Sequence, residues 1–193
     1  MNNLFDIIIL IGVLIFLITT IIIDQKNRTK FFSEFINEIP VGSNVLDFGG
    51  ANCDLKYFLK NRNNVTTIDI YKGCDSALIY DGYKLPFKDN TFDIVCSIFV
   101  LHHIPHYEEI LPELVRVCKN KLIILEDYPE TFYQIMISKL HYLLFDQPMS
   151  SIKYMNSPDI WCKLLGTSSH KKIKTNSLFN TTPHYLITKK IHK

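Results

Sequence analysis

Residues 45–55 read VLDFGGANCDL, a short apolar strand that runs into paired glycines and then into the start of a helical pattern. In an open parallel sheet such a loop lies at the carboxyl edge, where backbone N–H groups and a helix N-terminus face a ligand and bulky side chains would block its approach. Gly49 and Gly50 permit that approach, but Ala51, Asn52 and Cys53 follow, so no GxGxxG dinucleotide fingerprint is present. An ordinary tight turn stays open as the alternative. The second constraint is spacing. Asp69 closes the β-branched run VTTID 20 residues beyond Gly49, where a carboxylate can accept both ribose hydroxyls of a nucleoside.

The rest of the chain alternates the two periodicities. TKFFSEFINEI is apolar at 31, 32, 35, 36 and 39 and is stopped by Pro40 and Gly42, which predicts a helix. NVLDF, VTTIDI, FDIVCSIFV and KLIILE read as buried strands, DLKYFLKN and EEILPELVRVCKN as helices between them. SPDIWCKLLG reads as the last helix, ended by Gly166, with KKIKT and HYLITKK as a final antiparallel pair at the sheet edge. This alternation predicts an α/β fold with a doubly wound, mostly parallel sheet and helices on both faces. ETFYQIMISKLHYLLFD is a further helix, with more apolar surface than one core-facing stripe needs. A lid, a membrane-surface contact and plain core packing all fit it.

The N-terminus is different in kind. Ile7 to Ile23 is an uncharged apolar run of 17 residues, which as a helix spans about 25 Å, the short end of what crosses a bilayer. No Lys or Arg precedes it and no small-residue cleavage site follows it, which disfavours a signal peptide. Lys26, Arg28 and Lys30 follow it directly, so the positive-inside tendency places the remainder in the cytosol. The expected organisation is an N-terminal transmembrane helix within residues 1–24 and one domain over 25–193. That domain carries its basic charge at its end: from Gly166 onward there are six Lys and no Asp or Glu. With a net charge of only +2 on the whole chain, nucleic acid is not an expected partner. The five cysteines (53, 74, 96, 118 and 162) are odd in number and far apart, so neither a disulfide framework nor a CxxC motif is readable, and buried free thiols are expected. No metal site is assigned.

Residues 80–104, YDGYKLPFKDNTFDIVCSIFVLHHI, carry a resemblance to a known family. Asp81, Leu85-Pro86-Phe87, Phe92-Asp93 and Leu101-His102-His103 resemble, in order, the acid, the turn, the entry to strand four and the helix start of class I S-adenosylmethionine-dependent methyltransferases of type 11. ELVRVCKNKLIILEDY is similar to that family's next helix and fifth strand, with the usual Pro-Gly-Gly turn replaced by Lys119-Asn120-Lys121. The resemblance implies a Rossmann-like seven-stranded, mostly parallel sheet over about residues 30–190, with S-adenosylmethionine as cofactor. It places Asp47, Gly49, Gly50 and Ala51 beneath the methionine moiety, Asp69 at the ribose, Asp81 and Gly82 at adenine, and Ser97 beside the methyl group, with Ile70 also in the cofactor site. The family loop has three glycines in alternate positions; here Ala51 and Cys53 occupy the later two.

The implied reaction is an in-line displacement at a sulfonium methyl, in which alignment supplies much of the rate. A base is needed only if the acceptor carries a proton. His102, His103, Glu126, Asp127 and Tyr128 fall near the expected acceptor pocket, against the plainer readings of packing and capping. The expected acceptor is a small molecule or lipid-like, with the membrane engaged through residues 7–23. Two other readings stand beside this one: a catalytically inactive member of the fold serving as a membrane scaffold, which the reduced glycine loop favours, and a nicotinamide oxidoreductase, which leaves Asp81 to His103 without a role.

Overall fold

The protein is described here from a computed structural model, which describes residues 11, 12, 15, 33–144, 153–173 and 182–191. The apolar run Ile7 to Ile23 therefore lies outside the described residues except at Ile11, Gly12 and Ile15, as do Lys26, Arg28 and Lys30. Among the described residues no helix is long and apolar enough to cross a membrane.

The strands are β1 (Asn44–Phe48), β2 (Asn64–Asp69), β3 (Leu78–Ile79), β4 (Phe92–Ile98), β5 (Cys118–Asp127), β6 (His170–Ile173) and β7 (His184–Lys190). They form one sheet in the order β3-β2-β1-β4-β5-β7-β6. β3 to β5 pair in parallel, and β7 runs antiparallel between β5 and β6. The chain order reverses beside β1, between β1 and β4, and in open α/β sheets the crevice at that reversal is where ligands bind. β1 is buried along nearly its whole length because both of its faces are covered.

The helices are α1 (Asp54–Leu59), α2 (Tyr107–Val117), α3 (Phe132–Leu144) and α4 (Pro158–Leu165), with residues 33–36 also helical. On one face of the sheet, Leu46, Phe48 and Val95 pack with Ile110 and Leu114 of α2 and Trp161 and Leu165 of α4. On the other face, Val45, Ile94 and Ile123 pack with Phe35, Ile39 and with Leu55 and Leu59 of α1. Two side chains that alternate along one strand thus belong to two separate cores, as the period of two requires.

Three local readings change. The helix read through Asn120 ends at Val117: Cys118 is extended (φ −86°, ψ 132°) and pairs with Phe92, so β5 takes residues 118–120. Leu101 to His103 form a single 3-10 turn, and α2 starts only at Tyr107. β3, two residues long with both side chains exposed, carries no buried pattern that periodicity could detect.

The Leu85-Pro86-Phe87 turn is clamped by α2. Arg116 donates from Nη1 to the Phe87 carbonyl (2.8 Å) and to Asp89 Oδ1 (2.9 Å), and from Nη2 to the Leu85 carbonyl (3.1 Å). Glu113 closes the clamp, accepting from Arg116 Nε (2.7 Å) and from the Leu85 amide (3.0 Å). This fork of directed donors is a task for arginine rather than lysine. It anchors the segment that carries Asp81 and Gly82.

Candidate functional site

The glycine loop is drawn down onto the sheet by its two glycines. Gly49 sits at φ +74°, and a Cβ there would lie 2.4 Å from Val100 Cγ1. A Cβ on Gly50 would lie 2.0 Å from Asp47 Oδ2. No side chain fits at either position, so the loop crosses the strand ends as bare backbone, the surface an anionic or nucleoside ligand needs.

Asp47 is the floor of this loop. It pairs in register with Thr67 on one side and Cys96 on the other, is 2% exposed, and accepts from Thr67 Oγ1 at 3.2 Å. Burial pushes its carboxyl up from 3.8 to about 7, against the lowering effect of the Thr67 hydrogen bond, and the charges of Asp54 and Asp69 add to the rise. Because the folded value lies above the unfolded one, the contribution of Asp47 to stability is intact below pH 3.8 and is lost as pH rises toward about 7. Asp47→Asn is therefore expected to stabilise the fold at pH 8 by about 2 kcal/mol, less than the full linkage value because the amide must also be buried. At pH 4, where the folded carboxyl is protonated, the cost of burying the amide is no longer offset and the variant should melt below wild type. A melting-temperature difference that is the same at pH 4 and pH 8 would refute a strained, buried carboxylate.

Asp69 ties the loop to the end of β2. Its Oδ2 accepts from the Ala51 amide at 3.0 Å and its Oδ1 from the Tyr71 amide at 3.1 Å. Ile70 is half exposed, and its Cγ2 lies 3.6 Å from where a Gly82 Cβ would stand, so the residues after β2 and after β3 meet here. Asp81 is exposed and accepts from the Tyr83 (2.9 Å) and Lys84 (3.1 Å) amides, which hold its carboxyl below the usual range. The Gly82 carbonyl faces His106 Nε2 at 3.0 Å, and the His106 ring stacks on Tyr83. Asp47, Gly49, Gly50, Ala51, Asp69, Ile70 and Gly82 are thus brought to one edge of the sheet.

Ser97 lies on the neighbouring strand but on the other face, in register with Phe48. Its hydroxyl is fully buried and has no hydrogen-bond partner among the described residues. A buried orphan hydroxyl at the end of β4 fits a site with a polar group still to be supplied.

The acidic and histidine residues beyond β4 sort into pairs. His102 and Glu126 are both buried and bonded to each other, Nδ1 to Oε2. Glu126 Oε1 also accepts from the Val100 (3.1 Å) and Leu101 (2.8 Å) amides. Burial pulls the His102 imidazole down, but the charge and hydrogen bond of Glu126 outweigh it and leave the pKa raised. His103, beside His102, is lowered by burial and by that neighbour to about 4, so it is a neutral imidazole at pH 7. Asp127 pairs with His184, directly opposite it in the β5–β7 register, and the His184 ring lies 4.9 Å from Phe99. The Tyr128 amide donates to the Pro183 carbonyl at 3.1 Å, and its ring packs against the α2 core.

Four contributors had no signal in the sequence. Thr67 looks like one more β-branched strand residue, Val100 like one more apolar residue after β4, and His184 becomes relevant only once its register with Asp127 is known. The fourth overturns the expectation of five free thiols: Cys53 and Cys74 form a disulfide, their Cα atoms 6.1 Å apart. Residues 70–77 fold back over Ala51 and bring the two together, which a spacing of 21 residues does not announce. Cys96, Cys118 and Cys162 are free and buried, as expected.

Residues 46–125 match the family model described as a methyltransferase domain. The ubiquinone/menaquinone biosynthesis C-methyltransferase of Laribacter hongkongensis is 31% identical over 117 residues, 50% of this chain and 48% of that protein. The phthiotriol/phenolphthiotriol dimycocerosates methyltransferase 1 of Mycobacterium ulcerans is 31% identical over 80 residues, 42% of this chain and 26% of that protein. The chain thus spans less than half the length of these curated relatives. A SAM-dependent methyltransferase of Methanosarcina mazei shares the fold with a TM-score of 0.59 at 16% identity, over 81% of this chain and 95% of that one. The bare loop over Asp47, the Ala51–Asp69 tie and the orphan Ser97 hydroxyl fit S-adenosylmethionine as the cofactor. The part of the chain that builds this edge of the sheet, residues 46–125, is thus the part that is similar to the methyltransferase-domain family.

Proposed function

We propose that the protein is a membrane-anchored methyltransferase that transfers the methyl group of S-adenosylmethionine to a small or lipid-like acceptor. The observation that carries the reading is the Asp69 carboxylate at the carboxyl edge of β2, bonded to the Ala51 amide of a loop that tolerates no side chain at Gly49 or Gly50. Bound there, the cofactor supplies an electrophilic methyl group on a sulfonium. The residues of the chain supply placement: Asp69 accepts the ribose hydroxyls, Asp81 and the Gly82 amide flank adenine, and Ser97 stands beside the methyl. Holding donor and acceptor in line is the main catalytic contribution such a site makes. No residue is assigned as a base, and His103, neutral above about pH 4, is a weak one.

The acceptor class rests on three supports. The relatives are named for ubiquinone/menaquinone biosynthesis and for phthiotriol and phenolphthiotriol dimycocerosates. α3 follows β5 and leaves Phe132, Tyr133 and Met136 exposed. The run Ile7 to Ile23 has the composition of an anchor, and the basic residues after it put the domain on the cytosolic side. One observation favours the scaffold reading instead: Cys53 stands at φ 61° where a glycine would be unstrained.

Calorimetric titration of the full chain in detergent with S-adenosylmethionine and S-adenosylhomocysteine separates the two readings. Binding at micromolar concentrations, followed by methyl transfer to a demethylated quinol in the same micelles, is the expected result. A folded protein that binds neither compound would leave the scaffold reading in its place.

A further inference from the structure

The connection from β2 to β3 is only eight residues, 70–77, and contains no helix. Parallel strands are usually joined by a crossover of about a dozen residues or more, most often helical. Here the short route suffices because Leu78 begins β3 level with Ile68, so the chain never has to return along the sheet. The segment stays at the carboxyl edge and lies across the glycine loop: a Cβ on Gly73 would stand 2.3 Å from the Ala51 carbonyl oxygen.

With no helix to pack, this strap is held by a few short-range bonds: the Tyr71 amide to Asp69, the Gly73 amide to the Tyr71 carbonyl and the Ala77 amide to the Cys74 carbonyl. Residues 71–73, 75 and 76 are exposed, and Ala77 is its buried foot. The disulfide is its covalent attachment, and the other end of that bond is a strained position. Cys53 caps α1 at φ 61° and ψ 28° with no side-chain cap hydrogen bond. Such a conformation is open to glycine and costly for other residues. One bond therefore does two things: it holds Cys53 in a left-handed conformation that glycine would adopt without strain, and it pins the segment that follows Asp69 against that loop.

We propose that Cys53–Cys74 is a redox-controlled tie on the donor site, closed in the form that binds S-adenosylmethionine and open in a form that binds it weakly. The inference rests on the donor-binding reading of Asp69 and the glycine loop. Closure is thiol–disulfide exchange with a low-molecular-weight disulfide: the Sγ–Sγ bond forms, the two protein thiols give up two electrons and two protons, and the small disulfide leaves as two thiols. A low-molecular-weight dithiol reverses it. Cys74 is partly exposed on the strap, so a small thiol can reach the bond. In a compartment whose glutathione pool is reducing, a disulfide at such a place serves sensing rather than permanent bracing. The three other cysteines are buried and take no part.

The test uses the full chain equilibrated either with oxidised glutathione or with dithiothreitol. Mass spectrometry after alkylation of the unfolded chain counts its thiols, and calorimetry measures S-adenosylhomocysteine affinity. Oxidised protein should show three alkylated cysteines and reduced protein five, with affinity about tenfold weaker when reduced, from the added cost of ordering loop and strap on binding. Cys74→Ser should bind weakly in both buffers. Five alkylated cysteines after oxidation, or equal affinity in the two states, overturns the tie while leaving the methyltransferase reading intact. Absence of binding in both states, with the disulfide formed, overturns the donor site and the tie with it.

Discussion

Asp69→Ala is expected to weaken binding of S-adenosylmethionine and S-adenosylhomocysteine by about 100-fold or more, in a protein that still folds. Each carboxylate oxygen has two acceptor positions. In Asp69 one position on Oδ2 is taken by the Ala51 amide and one on Oδ1 by the Tyr71 amide. The remaining position on each oxygen matches the two hydroxyls of a ribose. The substitution therefore removes two ligand contacts and also frees the loop on one side and the strap on the other. Hydrogen bonds to a charged group contribute about 1.5–3 kcal/mol each, and about 2.7 kcal/mol already amounts to 100-fold. Asp69→Asn should fall between the two, since a carboxamide accepts through one atom only and turns its NH2 toward the other amide donor. Calorimetry alongside thermal melting decides it: affinity within about threefold of wild type in a normally folded Asp69→Ala protein would remove Asp69 from the ribose site.

The parts of this site that sequence reading reached are those fixed by short-range spacing. Gly49 and Gly50 follow a buried strand, and Asp69 ends the next, because a strand–loop–helix–strand unit has a nearly constant length. The alternation that predicted the sheet also held, and β7 with β6 forms the expected antiparallel edge pair. What escaped depends on which side chains meet in the folded chain, by a turn packing on a strand or by the register of two strands. His102, on the 3-10 turn after β4, and Glu126, in β5, could both be read as residues near a pocket, yet the Glu126 carboxylate is taken up by His102 Nδ1 and two backbone amides, and Asp127 meets His184 by register. Which face a side chain takes, and what stands opposite, follows from register, and register is a property of the paired strands. The disulfide escaped for a related reason: the β2–β3 connection lacks the helix usual in such a fold, and only that absence lets Cys74 reach Cys53.

Glu126→Ala is expected to destabilise the fold by about 3–5 kcal/mol, the range found when one partner of a buried ion pair is removed. Three donors depend on this carboxylate: His102 Nδ1 and the amides of Val100 and Leu101. His102 and Glu126 are 3% and 1% exposed, so water cannot take over the lost bonds. Glu126→Gln distinguishes loss of charge from loss of shape. Its oxygen can still serve the two amides while its NH2 donates to a neutral His102, so the loss should be smaller, about 1–2 kcal/mol. The pH dependence separates the two further. With Glu126 present the His102 pKa is raised above 6.5, so its contribution to stability is fully present below pH 6.5 and declines as pH rises through the folded value. Glutamine removes the charge that raises it, and the decline above pH 6.5 should shrink. Asp47 does not obscure this, because a comparison of the two proteins cancels a group common to both. Thermal melting at pH 6 and pH 9 gives the measurement: a Glu126→Gln protein with the same pH slope as wild type would show that the raised His102 pKa has another source.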